Sequence, residues 1–147
     1  MSISVPRCAR SDYVLARTYL SRDVTQRRLF QRLDESARHF RLTINDRNDD
    51  HFDPQTDTIA WDPYSALRTT RGGTQSPALG LGHEIAHAVE APSREAALAR
   101  QTLSRYDDAE ERRVIRGSER YAARTLGEAI RYDHRGTTYR VATPVSR

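Results

Sequence analysis

The first half of the chain contains one segment with helical periodicity and two segments typical of strands. Between residues 22 and 39, apolar residues recur at helical spacing, which predicts an amphipathic helix. These residues are Val24, Leu29, Phe30, Leu33 and Ala37. In the stretch that ends near Ile44, apolar and polar residues alternate, which predicts a strand. A second short strand, Thr58–Trp61, is expected to stop at Asp62-Pro63.

Two polar segments predict loops around the second strand. Residues 45–57 are rich in Asn and Asp and contain a proline, which is typical of a loop. So many carboxylates could indicate calcium, but the spacing of an EF-hand and its closing Glu are absent. Residues 68–77 predict a second loop. Its last residue, Pro77, is placed to open a helix that runs from about residue 78 to residue 90.

The second half of the chain predicts further helices. Ser93 could cap one of them, and others are expected over residues 107–115 and 119–126, separated by glycines. A short extended tail over residues 137–145 closes the chain. The order of a helix, two strands and then helices predicts an α+β fold with a small sheet.

Length and cysteine content limit the kind of protein. A chain of 147 residues suits a single domain with one core, here residues 1–147. Cys8 is the only cysteine, so an intramolecular disulfide and a multi-cysteine zinc site are excluded. The N-terminal sequence contains no apolar signal-peptide segment, and no stretch approaches the ~20 apolar residues of a membrane span. We therefore expect neither a cleavable secretory signal nor a membrane partner.

The positive charge raises the possibility of a nucleic-acid partner. The net charge is +4, the isoelectric point is about 9.6, and all 24 basic residues are arginine. These arginines are scattered along the chain and interleaved with Asp and Glu, which is typical of a solvated surface. We therefore expect no nucleic-acid partner, and we expect a monomer.

The segment LGLGHEIAHAVE, residues 79–90, carries the strongest chemical signal. A helix places positions i and i+4 on one face, so His83 and His87 can bind one metal ion. Glu84 lies beside that face and can accept a proton from a zinc-bound water that attacks a peptide carbonyl. The residues around the histidines are apolar, as a buried active-site helix requires. The structural alternative is an ordinary helix with two polar-face histidines or one core histidine.

A catalytic zinc ion takes three protein ligands, so a third ligand is needed. No histidine follows His87 at the metzincin spacing, and the acidic run over residues 107–111 offers a carboxylate instead. Glu111 shares a helix face with Val114 and Ile115, which favours a buried position. Glu110 remains an alternative, and the whole run could also be a solvated helix start.

Three segments, GHEIAHAVE, EERRVI and GSERYAARTLGEAIRYDHRG, resemble the NleD-like zinc metalloproteases, which bacteria inject as type III effectors. The similarity covers about residues 57–136. The HEIAH residues match the motif of that family outright, and Glu110-Glu111 match its glutamate pair. In related gluzincins the second glutamate of such a pair is a ligand. The resemblance therefore implies a compact zincin-like domain whose zinc ion is bound by His83, His87 and Glu111.

A protease also needs a donor for the oxyanion of its reaction. The candidates are Tyr121, Arg124, Arg131, Tyr132 and His134. Arg131 matches the arginine of a later family segment, so the resemblance makes Arg131 a catalytic residue beside Glu84. His134 stands where the family has tyrosine and is the second candidate. Glu119 matches a family glutamate, with no role attached to it.

The resemblance also implies a biological setting. It indicates a zinc endopeptidase that a specialised secretion system delivers and that cleaves a host signalling protein in the host cytoplasm. Some relatives cleave mitogen-activated protein kinases, so a host kinase is one implied substrate. Residues 1–20 are a candidate for a flexible secretion segment. The alternatives are a metalloprotease toxin domain of an interbacterial system and a non-catalytic binding module with a structural metal.

Overall fold

The computed structural model of the protein describes residues 2–90, 102–103 and 107–147. Its helices are α1 (Arg10–Leu20), α2 (Val24–Glu35), α3 (Pro77–Glu90), α4 (Ala109–Arg116) and α5 (Ser118–Leu126), and a 3₁₀ turn at Arg7–Ala9 precedes α1. Its strands are β1 (Ile3–Ser4), β2 (Phe40–Ile44), β3 (His51–Asp53), β4 (Thr58–Trp61), β5 (Ser65–Arg68), β6 (Thr74–Gln75), β7 (Thr102–Leu103), β8 (Asp107–Asp108) and β9 (Thr137–Arg140).

The main sheet has the strand order β1-β2-β4-β3. The neighbours β1 and β2, and β2 and β4, run parallel, whereas β3 pairs antiparallel with β4 at the edge. Leu42 of β2 lies opposite Ile59 of β4, and both are buried. A second, antiparallel sheet has the order β6-β5-β9, and β7 pairs with β8. The predicted α+β fold is confirmed.

Helix α3 lies at the centre of the fold. It packs against the helices α1, α2, α4 and α5, and it also contacts the strands β3, β4 and β5. A helix that is surrounded by other elements must be apolar on nearly all faces, and most of α3 is buried. Among the described residues, no helix is both long and apolar enough to cross a membrane.

The predicted elements are present, but the two predicted loops contain strands. Within residues 45–57 the structure has β3, and within residues 68–77 it has β6 and the end of β5. These strands are short and mostly polar. In β3 only Phe52 is buried, so the sequence lacks the alternation that would identify a strand. The helix expected after Ser93 lies outside the described residues.

The N-terminal segment is part of the folded core. Within residues 1–20, where a flexible segment is a candidate from the sequence, the structure has β1, the 3₁₀ turn and α1. Tyr13, Ala16 and Leu20 are buried against the rest of the core. Their spacing places them on one helix face, which the sequence analysis did not recognise. A role of this segment in secretion stays a prediction.

The start of α3 is fixed by contacts from three other parts of the chain. The indole Nε1 of the fully buried Trp61, at the end of β4, donates to the carbonyl of Pro77 at 2.9 Å. Glu128, after α5, accepts hydrogen bonds from the backbone N–H and the hydroxyl of Ser76 at 2.6 and 2.7 Å. The N–H of Ala78 donates to the carbonyl of Pro144 at 2.8 Å. These contacts set the position of the helix that carries the HEIAH residues.

Replacing Trp61 with Phe should lower the free energy of unfolding by about 2–4 kcal/mol, because it leaves a cavity and removes the indole hydrogen bond to the Pro77 carbonyl. Urea unfolding in the presence of a chelator measures this loss without a contribution from bound metal. As a control, Tyr121→Phe changes a side chain that is 57% exposed and should change stability by less than about 0.5 kcal/mol. A loss of stability in Trp61→Phe as small as that of the control would contradict the proposed role of Trp61 in fixing the start of α3.

Candidate metal centre

Two histidines of α3 and one glutamate of α4 bring three donor atoms together. The Nε2 atoms of His83 and His87 lie 2.9 Å apart. The Glu111 Oε2 atom lies 2.8 Å from His83 Nε2 and 3.1 Å from His87 Nε2. All three residues are buried. His83, His87 and Glu111 therefore form a cluster that could hold a metal ion, and they are the three ligands predicted from the sequence.

The second nitrogen of His83 is held by a buried glutamate of α5. His83 Nδ1 lies 2.8 Å from Glu119 Oε1, and Arg131 Nε and Nη2 donate to the same carboxylate at 2.8 and 2.6 Å. Arg131 Nη2 also lies 3.1 Å from His83 Nδ1. The Glu119 carboxylate carries no proton and can only accept. We therefore assign a proton to His83 Nδ1, which donates it to Glu119, and Arg131 donates to the same carboxylate. When the imidazole is neutral, as metal binding requires, this assignment leaves the lone pair of His83 Nε2 turned towards the cluster.

The second nitrogen of His87 is held in the same way by Glu110. His87 Nδ1 lies 2.8 Å from Glu110 Oε2, and Arg113 Nε and Nη2 donate to the Glu110 carboxylate at 2.6 and 2.8 Å. The two adjacent glutamates thus have different places: Glu111 joins the cluster, and Glu110 orients His87. A carboxylate behind each ligating imidazole is the usual arrangement at protein metal sites.

The charges around the histidines favour a cation. Burial alone lowers the pKa of a histidine, but the hydrogen bonds to Glu111 and Glu119 outweigh it and raise the pKa of His83 to about 10. Burial opposes ionisation of Glu111 as well, but contacts with His83 and His87 hold its pKa well below the usual range. Arg131 and His83 likewise hold the pKa of Glu119 at about 2. The carboxylates are thus ionised, and a metal ion can replace the protons that the histidines carry without it.

Glu84 lies at the wall of a cavity next to the cluster. Its carboxylate Oε1 is 3.9 Å from His83 Nε2, and the side chain is buried. The cavity has a volume of about 270 Å³ and is lined by His83, Glu84 and His134 together with residues 65–67 of β5. A carboxylate at this distance from a metal-facing nitrogen can reach a water molecule that lies between them.

The two leading candidates for the oxyanion donor both line this cavity. The guanidinium of Arg131 is buried and is bound to Glu119 through two of its nitrogens. His134 Nε2 lies 3.3 Å from Glu111 Oε2, and its ring is stacked over that of His83 with centroids 6.0 Å apart. The geometry therefore favours a supporting role for Arg131 and leaves His134 beside the cluster. The catalytic role predicted for Arg131 stays a prediction.

The other three candidates do not join the cluster. Tyr121 and Arg124 are exposed on α5, and the ring of Tyr132 contacts the guanidinium groups of Arg71 and Arg120, whose Cζ atoms lie 3.8 and 5.3 Å from its centroid. Tyr132 is thus occupied by cation–π contacts away from the metal ligands.

The structure adds two residues to the site to which the sequence analysis gave no role. Glu119 is the acceptor for His83, which is 36 residues away in the sequence. Asp50, from the loop before β3, lines the cavity. For Glu119, the match to a glutamate of the NleD-like family was the one indication in the sequence of a role in the site. No periodicity or spacing marks Asp50 among the other acidic residues of its loop.

Comparisons of the chain with protein-family models, with curated proteins and with solved structures find no match. The resemblance to NleD-like metalloproteases therefore rests on the motif residues themselves and stays a prediction.

The two neighbouring glutamates should differ in their effect on metal binding. Glu111→Gln removes the negatively charged donor of the cluster. Glu110→Gln leaves all three donors and weakens only the acceptor behind His87, so it should reduce affinity by about 10- to 100-fold. Glu111→Gln should reduce it further. Competition with a chelator of known zinc affinity measures both losses. A larger loss in Glu110→Gln than in Glu111→Gln would contradict the assignment.

Proposed function

We propose that the protein is a zinc-dependent endopeptidase that hydrolyses a protein substrate in the cavity beside His83 and His87. The observation that carries the proposal is the position of Glu84. This carboxylate is buried, lines the cavity, and stands 3.9 Å from a metal-facing nitrogen. A structural metal site has no need of such a group, whereas metal-assisted hydrolysis of a peptide bond requires a base there.

The donor set supports zinc as the metal. Two imidazole nitrogens and one carboxylate oxygen are typical of catalytic zinc sites that keep one position for water or substrate. Ligand distances of ~2.0–2.1 Å in a tetrahedral site place the donor atoms about 3.3 Å apart. The three separations here, 2.8, 2.9 and 3.1 Å, require each donor to move outward by only a few tenths of an ångström.

The reaction divides between the metal and the side chains of the chain. A zinc ion held by His83, His87 and Glu111 would supply a water of lowered pKa, ~7, and a Lewis acid for the substrate carbonyl. Glu84 accepts the proton of the attacking water and then delivers it to the amine nitrogen of the leaving group. Glu119 and Glu110 keep the two imidazoles in the orientation and tautomer that present Nε2 to the metal.

The negative charge that develops on the substrate carbonyl oxygen needs a donor within the cavity. We assign this role to His134, which lines the cavity and lies beside Glu111. Arg131 contributes through Glu119, whose charge it balances and whose position behind His83 it fixes. In this assignment Arg131 is a positioning residue.

The setting of the activity is proposed from the sequence resemblance alone. It supports an effector that a specialised secretion system delivers and that acts as a monomer on a host signalling protein, such as a kinase, in the host cytoplasm. The same chemistry would serve a metalloprotease toxin domain of an interbacterial system. A non-catalytic module with a structural metal is less well supported, because it leaves the buried Glu84 without a role.

Glu84→Gln should abolish most hydrolysis without loss of metal. The amide cannot accept the proton of the water, so the rate should fall by about 100- to 10,000-fold, while the three metal donors remain. Mass spectrometry of a proteome-derived peptide library after incubation with the zinc-loaded protein measures cleavage, and elemental analysis measures zinc.

Glu35→Gln, an exposed change on α2, serves as the matched control and should cleave like the wild type. Equal cleavage by Glu84→Gln would sink the proposed mechanism. Failure of the wild type to cleave when it holds one zinc ion would sink the proposed function.

His134→Phe and Arg131→Lys should separate the two candidates for the oxyanion donor. His134→Phe keeps a ring over His83 but removes the donor, so kcat should fall by about 100- to 1000-fold with little change in KM or zinc content. Arg131→Lys should instead weaken zinc binding by about 10- to 100-fold and recover activity at saturating zinc. If Arg131→Lys stays impaired at saturating zinc while His134→Phe is active, Arg131 is the donor.

A further inference from the structure

The metal-facing side of α3 continues towards the N-terminus of the helix and ends at Gly80. Gly80 lies three residues before His83 and four before Glu84, so it shares their side of the helix. A Cβ atom at Gly80 would lie 2.7 Å from Asp50 Oδ2. The absence of a side chain at this position therefore allows the Asp50 carboxylate to lie against the helix, about one turn before Glu84.

The Asp50 carboxylate is held in place by a network around Asp62. Asp50 Oδ1 accepts the backbone N–H of Asp62 at 2.7 Å. The buried Asp62 carboxylate in turn accepts the N–H groups of Asn48 and Tyr64 at 3.0 and 3.1 Å and pairs with Arg140. The loop before β3 is thus tied to β4 and β9 on both sides of Asp50. This fixed support distinguishes Asp50 from the solvated carboxylates of the same loop.

The other oxygen of Asp50 is turned to the cavity without a partner. Among the described residues, Oδ2 has no hydrogen bond, and Asp50 is a lining residue of the cavity. Although the residue is partly exposed, its carboxyl group lies below the surface, and burial raises its pKa to about 8. A buried carboxylate without a cation is costly, so this end of the cavity is suited to a positively charged group.

The rest of the cavity fits a polar occupant. Its walls include Asn48, Ser65, Gln75 and Thr138, its other carboxylate is Glu84, and its two arginines are Arg131 and Arg135. Glu84 is engaged as the proton acceptor of the proposed reaction, and Arg131 is paired with Glu119. Among the described residues, Asp50 is therefore the one lining carboxylate that neither pairs with a cation nor takes part in the proposed reaction.

We propose that Asp50 is a specificity-determining residue that binds a cationic group of the substrate next to the scissile bond. This inference rests on the proposed peptidase function, because it concerns the same cavity. The helix rise of about 6 Å between Gly80 and Glu84 corresponds to one or two residues of an extended peptide, at ~3.4 Å per residue. The cation is a protonated amine or a guanidinium, which comes either from a Lys or Arg side chain or from the free N-terminus of the peptide.

Binding of small amides to the zinc-loaded full chain, followed by NMR chemical shifts, tests the proposal without the need for turnover. N-acetyl-arginine amide and N-acetyl-citrulline amide have nearly the same shape and differ in charge. Alanine amide and N-acetyl-alanine amide differ in the N-terminal charge and in the acetyl group that removes it. In the wild type, one charged member should bind about tenfold or more tightly than its neutral counterpart. Preference for the arginine amide identifies a side-chain site, and preference for the alanine amide identifies an N-terminal site and an exopeptidase.

The Asp50→Asn variant should remove this preference. Asn keeps the acceptor for the Asp62 N–H and loses only the charge, so the fold should be retained. Asp46→Asn, an exposed change in the same loop, should bind like the wild type. Gly80→Ala provides a second variant: its Cβ displaces the Asp50 carboxylate while the charge remains, so it too should lose the preference.

Two results would overturn the proposal: no preference for charge in the wild type, or a preference that persists in both Asp50→Asn and Gly80→Ala. Its failure can be distinguished from failure of the proposed function. If the protein cleaves peptides without any preference for cationic groups, the proposed role of Asp50 is wrong and the proposed peptidase function is retained. Charge-selective binding by a zinc-loaded protein that cleaves no peptide would leave the binding site and remove the peptidase.

Discussion

Burial of two histidines on the inner side of α3 imposes the constraint on which the site depends. Each imidazole has two nitrogens that need partners away from water, and the two Nε2 atoms are only 2.9 Å apart. The outward nitrogens are satisfied by Glu119 and Glu110, and these buried or half-buried carboxylates need cations of their own, which Arg131 and Arg113 supply. The result is two parallel series of imidazole, carboxylate and guanidinium. Both series require α4 and α5 to pack directly against α3.

This arrangement gives a structural role to a compositional bias. All 24 basic residues of the chain are arginine. Glu110 and Glu119 each receive two hydrogen bonds from the Nε and Nη2 atoms of one arginine, and a lysine, with a single ammonium group, cannot reproduce that fork. The rigid fork fixes the carboxylate, and the carboxylate fixes the imidazole. The precision of the cluster therefore depends on side chains that are not themselves metal donors.

The sequence predicted those parts of the structure that follow from local periodicity. His83, Glu84 and His87 share a helix side because of the 3.6-residue repeat, and the same argument placed Glu111 on the buried side of α4. The pairs that complete the site could not be predicted in this way, because Glu119 meets His83 across 36 residues and Arg131 across 12. Strands β3 and β6 were missed for a related reason: they are short and polar, and pairing with neighbouring strands, not their own pattern, makes them strands.

The position of Glu111 also has a consequence for the stability of the chain. His87 and Glu111 are 24 residues apart, so an ion bound by both would join two distant points of the backbone as a covalent cross-link does. For a closed loop of this size, the loss of chain entropy in the unfolded state corresponds to roughly 3.5 kcal/mol. Occupancy of the site would thus also decide how firmly the C-terminal helices stay attached to the rest of the molecule.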